Sequence, residues 1–116
     1  MRPKVCEMLG IDTPIVLAPM GGAVGAEIAA AVCNAGGLGT LPLWSRDIPT
    51  LKEIVRATRA LTSNPFAVNL NMQFPQEERL NACLEEEVPI ISFFWDDPGH
   101  LIRKAKDSGA IVMHSV

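Results

Sequence analysis

Residues 15–41, IVLAPMGGAVGAEIAAAVCNAGGLGTL, read as strand, glycine loop, alanine-rich helix, glycine turn and second strand, which together make one βαβ unit. The apolar run 15–18 has the composition of a strand buried on both faces of a parallel sheet. Pro19, with no N–H to give to a ladder, marks its end. Gly21, Gly22 and Gly25 then allow a sharp turn that brings bare peptide N–H groups to a helix start, where the partial positive charge favours an anion or an electron-rich ring edge. The helix expected over 26–35 has little bulk beyond Ile28 and Val32, so it can lie very close to the sheet, and Asn34, Gly36 and Gly37 supply a left-handed stop. The same glycines would serve a structural turn with no ligand. A dinucleotide is disfavoured, because the pattern is GGxxG rather than GxGxxG and Asp47 falls in a loop beyond Pro42 rather than at the end of the second strand.

With 116 residues, 48% apolar and 20% charged, the chain can form one globular core, and a net charge of −3 leaves no basic surplus for nucleic acid. The uncharged run 28–45 is broken by Asn34, glycines and Pro42, so no membrane span is expected. Glu7 and Asp12 precede the first apolar stretch, which argues against a signal peptide and for a cytoplasmic protein. Cys6, Cys33 and Cys83 are odd in number and widely spaced in apolar surroundings. They read as reduced packing thiols, with neither a disulfide frame nor a metal site.

Further elements follow in regular order. Residues 1–13 are a lead-in able to plug one end of a sheet as a short hairpin or helical turn. A helix after the loop LPLWSRDIP is expected to start at Thr50, with Glu53 completing a capping box and Leu51, Ile54, Val55, Thr58 and Leu61 as its buried stripe. Residues 66–72, FAVNLNM, form a strand with Phe66, Val68, Leu70 and Met72 on one face and Ala67, Asn69 and Asn71 on the other. Buried carboxamides are costly unless paired. These two either bind each other or nearby backbone, or they hydrogen-bond a polar ligand. A helix over 76–87, a strand over 90–95, a helix capped by Asp97 with Pro98 in its first position, and a strand over 110–116 complete the chain.

Strand starts 20 to 29 residues apart give a β/α alternation, hence a parallel sheet. A five-strand doubly wound sheet and part of a (β/α)8 barrel both satisfy it. Because the chain ends inside an apolar strand that no helix covers, it is expected to be the N-terminal part, about five βα units, of a longer barrel.

LGIDTPIVLAPMGG, AAAVCNAGGLGTL, NPFAVNLNM, the DPG of residues 97–99 and the strand IVMHSV together resemble the N-terminal part of nitronate monooxygenases, formerly 2-nitropropane dioxygenases. The resemblance implies an FMN-binding TIM barrel, with residues 1–116 as a partial flavin-binding domain. It places the flavin-lining loop on Met20, Gly21, Gly22 and Ala23, and the flavin-bonding asparagine on Asn69. Asn71 stays open. His114 or Ser115 would lie near the flavin, or His114 would be a buried histidine satisfied by backbone, while His100 would sit at the surface. The family's catalytic histidine and phosphate-binding loops would follow Val116, so residues 1–116 alone are expected to be inactive. The implied substrates are an alkyl nitronate and O2. The pattern is shared with flavin-dependent enoyl-acyl-carrier-protein reductases, so it fixes flavin better than substrate.

Overall fold

The computed structural model describes residues 3–17 and 25–115. In chain order it contains α1 (Lys4–Leu9), α2 (Ala26–Asn34), β1 (Thr40–Pro42), α3 (Ile48–Leu61), β2 (Ala67–Asn71), α4 (Glu77–Glu85), β3 (Ile90–Phe94), α5 (His100–Asp107) and β4 (Ile111–Ser115). All pairings are parallel and the sheet order is β1-β2-β3-β4. The expected first strand contributes a parallel bridge, Val16 to Leu38, flanked by Leu17 N–H to Leu38 O and Leu38 N–H to Ile15 O, both 2.8 Å. The segments therefore lie side by side in sequence order.

Strand alternation separates two faces, and the helices choose one of them. Leu41, Val68, Leu70, Ile91 and Phe93 pack with Ala29, Cys33, Leu51, Val55, Leu80, Cys83, Leu101 and Ala105 from the four later helices. On the opposite face Leu38, Ala67 and Ile90 meet Cys6, Leu9 and Ile11, so α1 and the turn after it close the amino end of the sheet. Sequential order with crossover helices on one face is the barrel arrangement. A doubly wound sheet, which reverses strand order and covers both faces, is excluded.

The close approach of α2 has a visible cause. A Cβ at Gly39 would run into the backbone of Ala29, so only glycine fits beneath the helix. Gly36, at φ +98°, provides the left-handed exit, whereas Gly25, the N-cap, is extended. Cys33 is held in this contact, accepting from Gly39 N–H at 3.3 Å and donating to the Pro65 carbonyl at 3.3 Å. Burial pushes the Cys83 thiol up to about 12, consistent with an inert packing group.

Several local expectations are corrected. Helix α3 starts at Ile48, not Thr50: Asp47 is the cap, its Oδ1 accepting from Thr50 N–H at 2.9 Å, with Pro49 in the first turn where no N–H is needed. Leu61, expected in the buried stripe, is 49% exposed because the helix ends there and turns away. Asp97 does not cap α5. Its carboxylate accepts from Gly99 N–H at 2.9 Å, and Gly99 is the N-cap, with φ +56°. Helix α4 is shorter than expected, and the chain leaves it through Glu87 at φ +58°.

Candidate functional site

In a parallel barrel, ligands meet the face at the carboxyl ends of the strands. Residues reach it from the interior side of the sheet and from the loops after each strand. On the interior side, register places Thr40 beside Ala67, Pro42 beside Asn69, and Asn69 beside Ser92. Thr40 and Asn69 are both buried, each 2% exposed.

Asn69 Nδ2 donates to Ser92 Oγ at 3.3 Å and to the Ser92 carbonyl at 3.4 Å. Since a carbonyl only accepts, this fixes the amide orientation and turns Oδ1 away from its neighbour. Asn69 Oδ1 and Thr40 Oγ1 are the buried side-chain polar atoms without a hydrogen-bond partner among the described residues. Such atoms cost roughly 1–3 kcal/mol each if left unmet. An open carbonyl acceptor and an open hydroxyl on neighbouring strands match a ligand edge that carries both donors and acceptors.

Asn71, left open by the sequence, is used by the protein itself. Its Oδ1 accepts from Gln73 N–H at 2.9 Å, turning the chain out of β2, and its carbonyl accepts from Gln76 Nε2 at 3.0 Å. Gln76 is a residue that sequence reasoning missed. Buried at 1% exposure, it also donates to the Trp44 carbonyl at 3.1 Å and so ties the loop after β1 to the loop after β2. Trp44 and Phe74 stack across the same two loops, ring centroids 5.4 Å apart and 12° from parallel. The only signal in the sequence was a glutamine directly before a charged helix start.

The remaining assignments divide by geometry. His114 pairs with Phe93, not with the Asn69 and Ser92 register, and is exposed, so it lies on the helix-covered face and not on the interior one. Ser115 pairs with Phe94 at the carboxyl end. His100 is exposed on the first turn of α5, 3.7 Å from Glu77 Oε1. Met20, Gly21, Gly22 and Ala23 lie outside the described residues. Thr40, Asn69 and Ser92 carry no proton that moves near neutral pH, so this part of the interior can bind and orient a ligand but cannot serve as a proton acceptor. The described residues contain no group of three or more His, Cys, Asp or Glu able to hold a metal, and no helix long and apolar enough to cross a membrane.

A sequence model of the nitronate monooxygenase family matches residues 2–78. The nitronate monooxygenase of Paraburkholderia phytofirmans is 42% identical over 80 residues, covering 69% of this chain and 21% of that protein. A Mycobacterium tuberculosis protein, (3aS,4S,5R,7aS)-5-hydroxy-7a-methyl-1-oxo-octahydro-1H-indene-4-carboxyl-CoA dehydrogenase, is 32% identical over 117 residues, covering 100% of this chain and 33% of its own length. Among solved structures, FabK from Thermotoga maritima superposes with a TM-score of 0.94 at 32% identity, covering 100% of this chain and 38% of that one. The chain thus spans between a fifth and two-fifths of the length of these three proteins.

Proposed function

The chain belongs to the nitronate monooxygenase family, and from that premise we propose that the full-length protein is a cytoplasmic, FMN-dependent oxidoreductase that oxidises alkyl nitronates with O2 as electron acceptor. The observation that carries this reading is Asn69 Oδ1, a buried acceptor on the interior face that no described residue meets while its own amide nitrogen is held by Ser92. It fits a heteroaromatic ring edge that offers an N–H, and the Thr40 hydroxyl adds a second polar group on the neighbouring strand. Met20, Gly21 and Gly22 are assigned to the wall of the same pocket.

The flavin, when bound, would supply the electron-accepting chemistry that no side chain provides. The part of this chain is to orient. Ser92 fixes the carboxamide of Asn69, Gln76 holds the loops after β1 and β2 together, and the buried apolar layer behind β2 keeps Asn69 from turning away. The proton acceptor is assigned to a histidine following Val116 in the full-length protein. The test is oxygen uptake dependent on an alkyl nitronate and independent of NAD(P)H; a protein that consumes oxygen with neither short nor bulky nitronates would not be of this kind.

A second reading is a reaction on a thioester, either enoyl-thioester reduction or dehydrogenation. It is favoured by the match of the whole chain to the Mycobacterium tuberculosis indene-carboxyl-CoA dehydrogenase named above. Turnover of an enoyl thioester with NAD(P)H, without nitronate oxidation, would select it.

A further inference from the structure

Trp95 directly follows Phe94, the last residue of β3, where the chain leaves the sheet, and its backbone is at φ +62°. For a bulky side chain this is a genuine outlier, since its Cβ crowds the following carbonyl. Burial does not offset the strain, because Trp95 is 57% exposed. Its ring lies 6.1 Å from that of Phe94, tilted at 50°. Phe94 in turn is anchored, its carbonyl accepting from Met72 N–H at 2.9 Å and its register partners being Asn71 and Ser115. A strained, exposed indole on an anchored strand end is a feature held by the surrounding structure for something other than packing.

Its setting says what that is. The loops after β1 and β2, at the same carboxyl face, present the Trp44 and Phe74 stack, with Phe74 48% exposed. The ends of three consecutive strands thus carry aromatic side chains at the carboxyl face of the sheet, whose interior side holds Asn69 and Ser92 as register partners. Asp96 and Asp97, both exposed, follow Trp95 directly, so an anionic tail would be repelled beside it.

Resting on the nitronate reading of the site, we propose that Trp95 is a specificity-determining residue that takes the uncharged apolar skeleton of the substrate, and that the substrate class is nitronates bearing a bulky cyclic or aryl group. Short alkyl nitronates would leave the indole in water and gain nothing from it.

The experiment uses the full-length, FMN-loaded protein and compares kcat/KM for the phenylmethyl nitronate with that for ethyl nitronate by oxygen uptake. The wild type should prefer the phenyl substrate by roughly tenfold or more, the discrimination ordinary apolar contacts provide. Trp95→Ala should bring that ratio close to one, mainly through the KM of the phenyl substrate, while Trp95→Phe keeps most of it. Trp95→Gly should lose the ratio and raise the Tm by roughly 2–4 °C, because glycine relieves the positive φ. No wild-type preference, or an unchanged ratio in Trp95→Ala, would overturn the proposal with the reaction intact. A binding readout separates the two failures: indole emission, taken as the difference between Trp44→Phe and Trp44→Phe/Trp95→Phe, should shift to the blue with phenylmethyl nitronate and not with ethyl nitronate. That shift without turnover would sink the reaction and keep the role of Trp95. Its absence overturns that role whether or not turnover is seen.

Discussion

Asn69 and Ser92, register partners on β2 and β3, are joined by a one-sided contact: the amide nitrogen of Asn69 is bound to Ser92 Oγ at 3.3 Å, and the amide oxygen has no hydrogen-bond donor among the described residues. The side chain is thereby oriented before any ligand arrives. Asn69→Leu keeps the volume and removes the acceptor, so FMN retention by the full-length protein should weaken about 2- to 13-fold, the worth of one net hydrogen bond of about 0.5–1.5 kcal/mol. Equilibrium titration with FMN measures it, together with a denaturation curve of the flavin-free protein, which should hardly move. Unchanged FMN affinity would remove Asn69 from the cofactor site.

Thr40 differs in sign. Its hydroxyl is buried with no partner among the described residues, so Thr40→Val, which keeps the branched shape, should stabilise the flavin-free protein by about 1 kcal/mol. Guanidinium denaturation decides. A loss of stability would mean that an ordered water satisfies the hydroxyl.

Glu87 sits at φ +58° just after α4, and its own side chain is exposed. Its hydrogen bonds run through the backbone, the carbonyl accepting from Arg59 Nη2 at 3.2 Å and the N–H donating to the Leu84 carbonyl at 3.1 Å, and both survive replacement by glycine. Glu87→Gly should therefore stabilise by roughly 1 kcal/mol, as the left-handed conformation costs a residue with Cβ about that much. A lower denaturation midpoint in Glu87→Gly would contradict this.

The acid limb of stability should depend on two carboxylates, the exposed Asp47 and the half-buried Glu86. Hydrogen bonds from Thr50, hydroxyl first and then backbone N–H, hold Asp47 below the usual aspartate range. The Arg56 guanidinium, bonded to both Glu86 oxygens at 2.8 and 2.9 Å, holds Glu86 below the usual glutamate range. Lowered folded-state values mean that both contributions are fully present above the unfolded values of about 4 to 4.5 and are lost as pH falls through the folded ones. Between about pH 6 and about pH 3, Asp47→Asn and Arg56→Gln should each show a shallower loss of stability than the wild type. Equal slopes would show that the interactions are screened away.

What the sequence made legible was what repeats. The alternation of strands and helices set the parallel sheet, and period-two alternation put Phe66, Val68, Leu70 and Met72 on the helix-packed face and Asn69 on the other, as observed. Choices between equivalent local signals were not legible. Asp47 with Thr50 and Thr50 with Glu53 both satisfy the spacing of a cap, and Pro49 settles the matter only once the helix start is seen. Asn69 and Asn71 are the same residue type on the same face. One is distinguished by Ser92 across the ladder and the other by the turn to Gln73, and the first of these is a tertiary fact. The bridge that Gln76 makes between two loops is signalled by no more than its place before a charged helix start, and the positive φ of Trp95 has no local signature.

The tight seat of α2 yields the sharpest stability test. A Cβ at Gly39 would meet the carbonyl oxygen, carbonyl carbon and Cα of Ala29, all backbone, so no side-chain rotation relieves it. The helix cannot easily lift, because its end is tied down: Asn34 Nδ2 donates to the Leu61 carbonyl at 3.0 Å, Thr62 Oγ1 donates to Asn34 Oδ1 at 2.6 Å, and Asn64 Nδ2 donates to the Cys33 carbonyl at 2.9 Å. Moving α2 would also break the bond from Gly39 N–H to Cys33 Sγ. Gly39→Ala should destabilise by about 1–3 kcal/mol, the range for overpacking a filled core. Adding Ala29→Gly should not rescue it, since the obstructing atoms remain. Gly25→Ala serves as the control: its position is open and its backbone extended, so its stability should stay close to wild type. Denaturant midpoints for the three variants separate the cases, and equal values for Gly39→Ala and Gly25→Ala would mean that the helix is free to move away from the sheet.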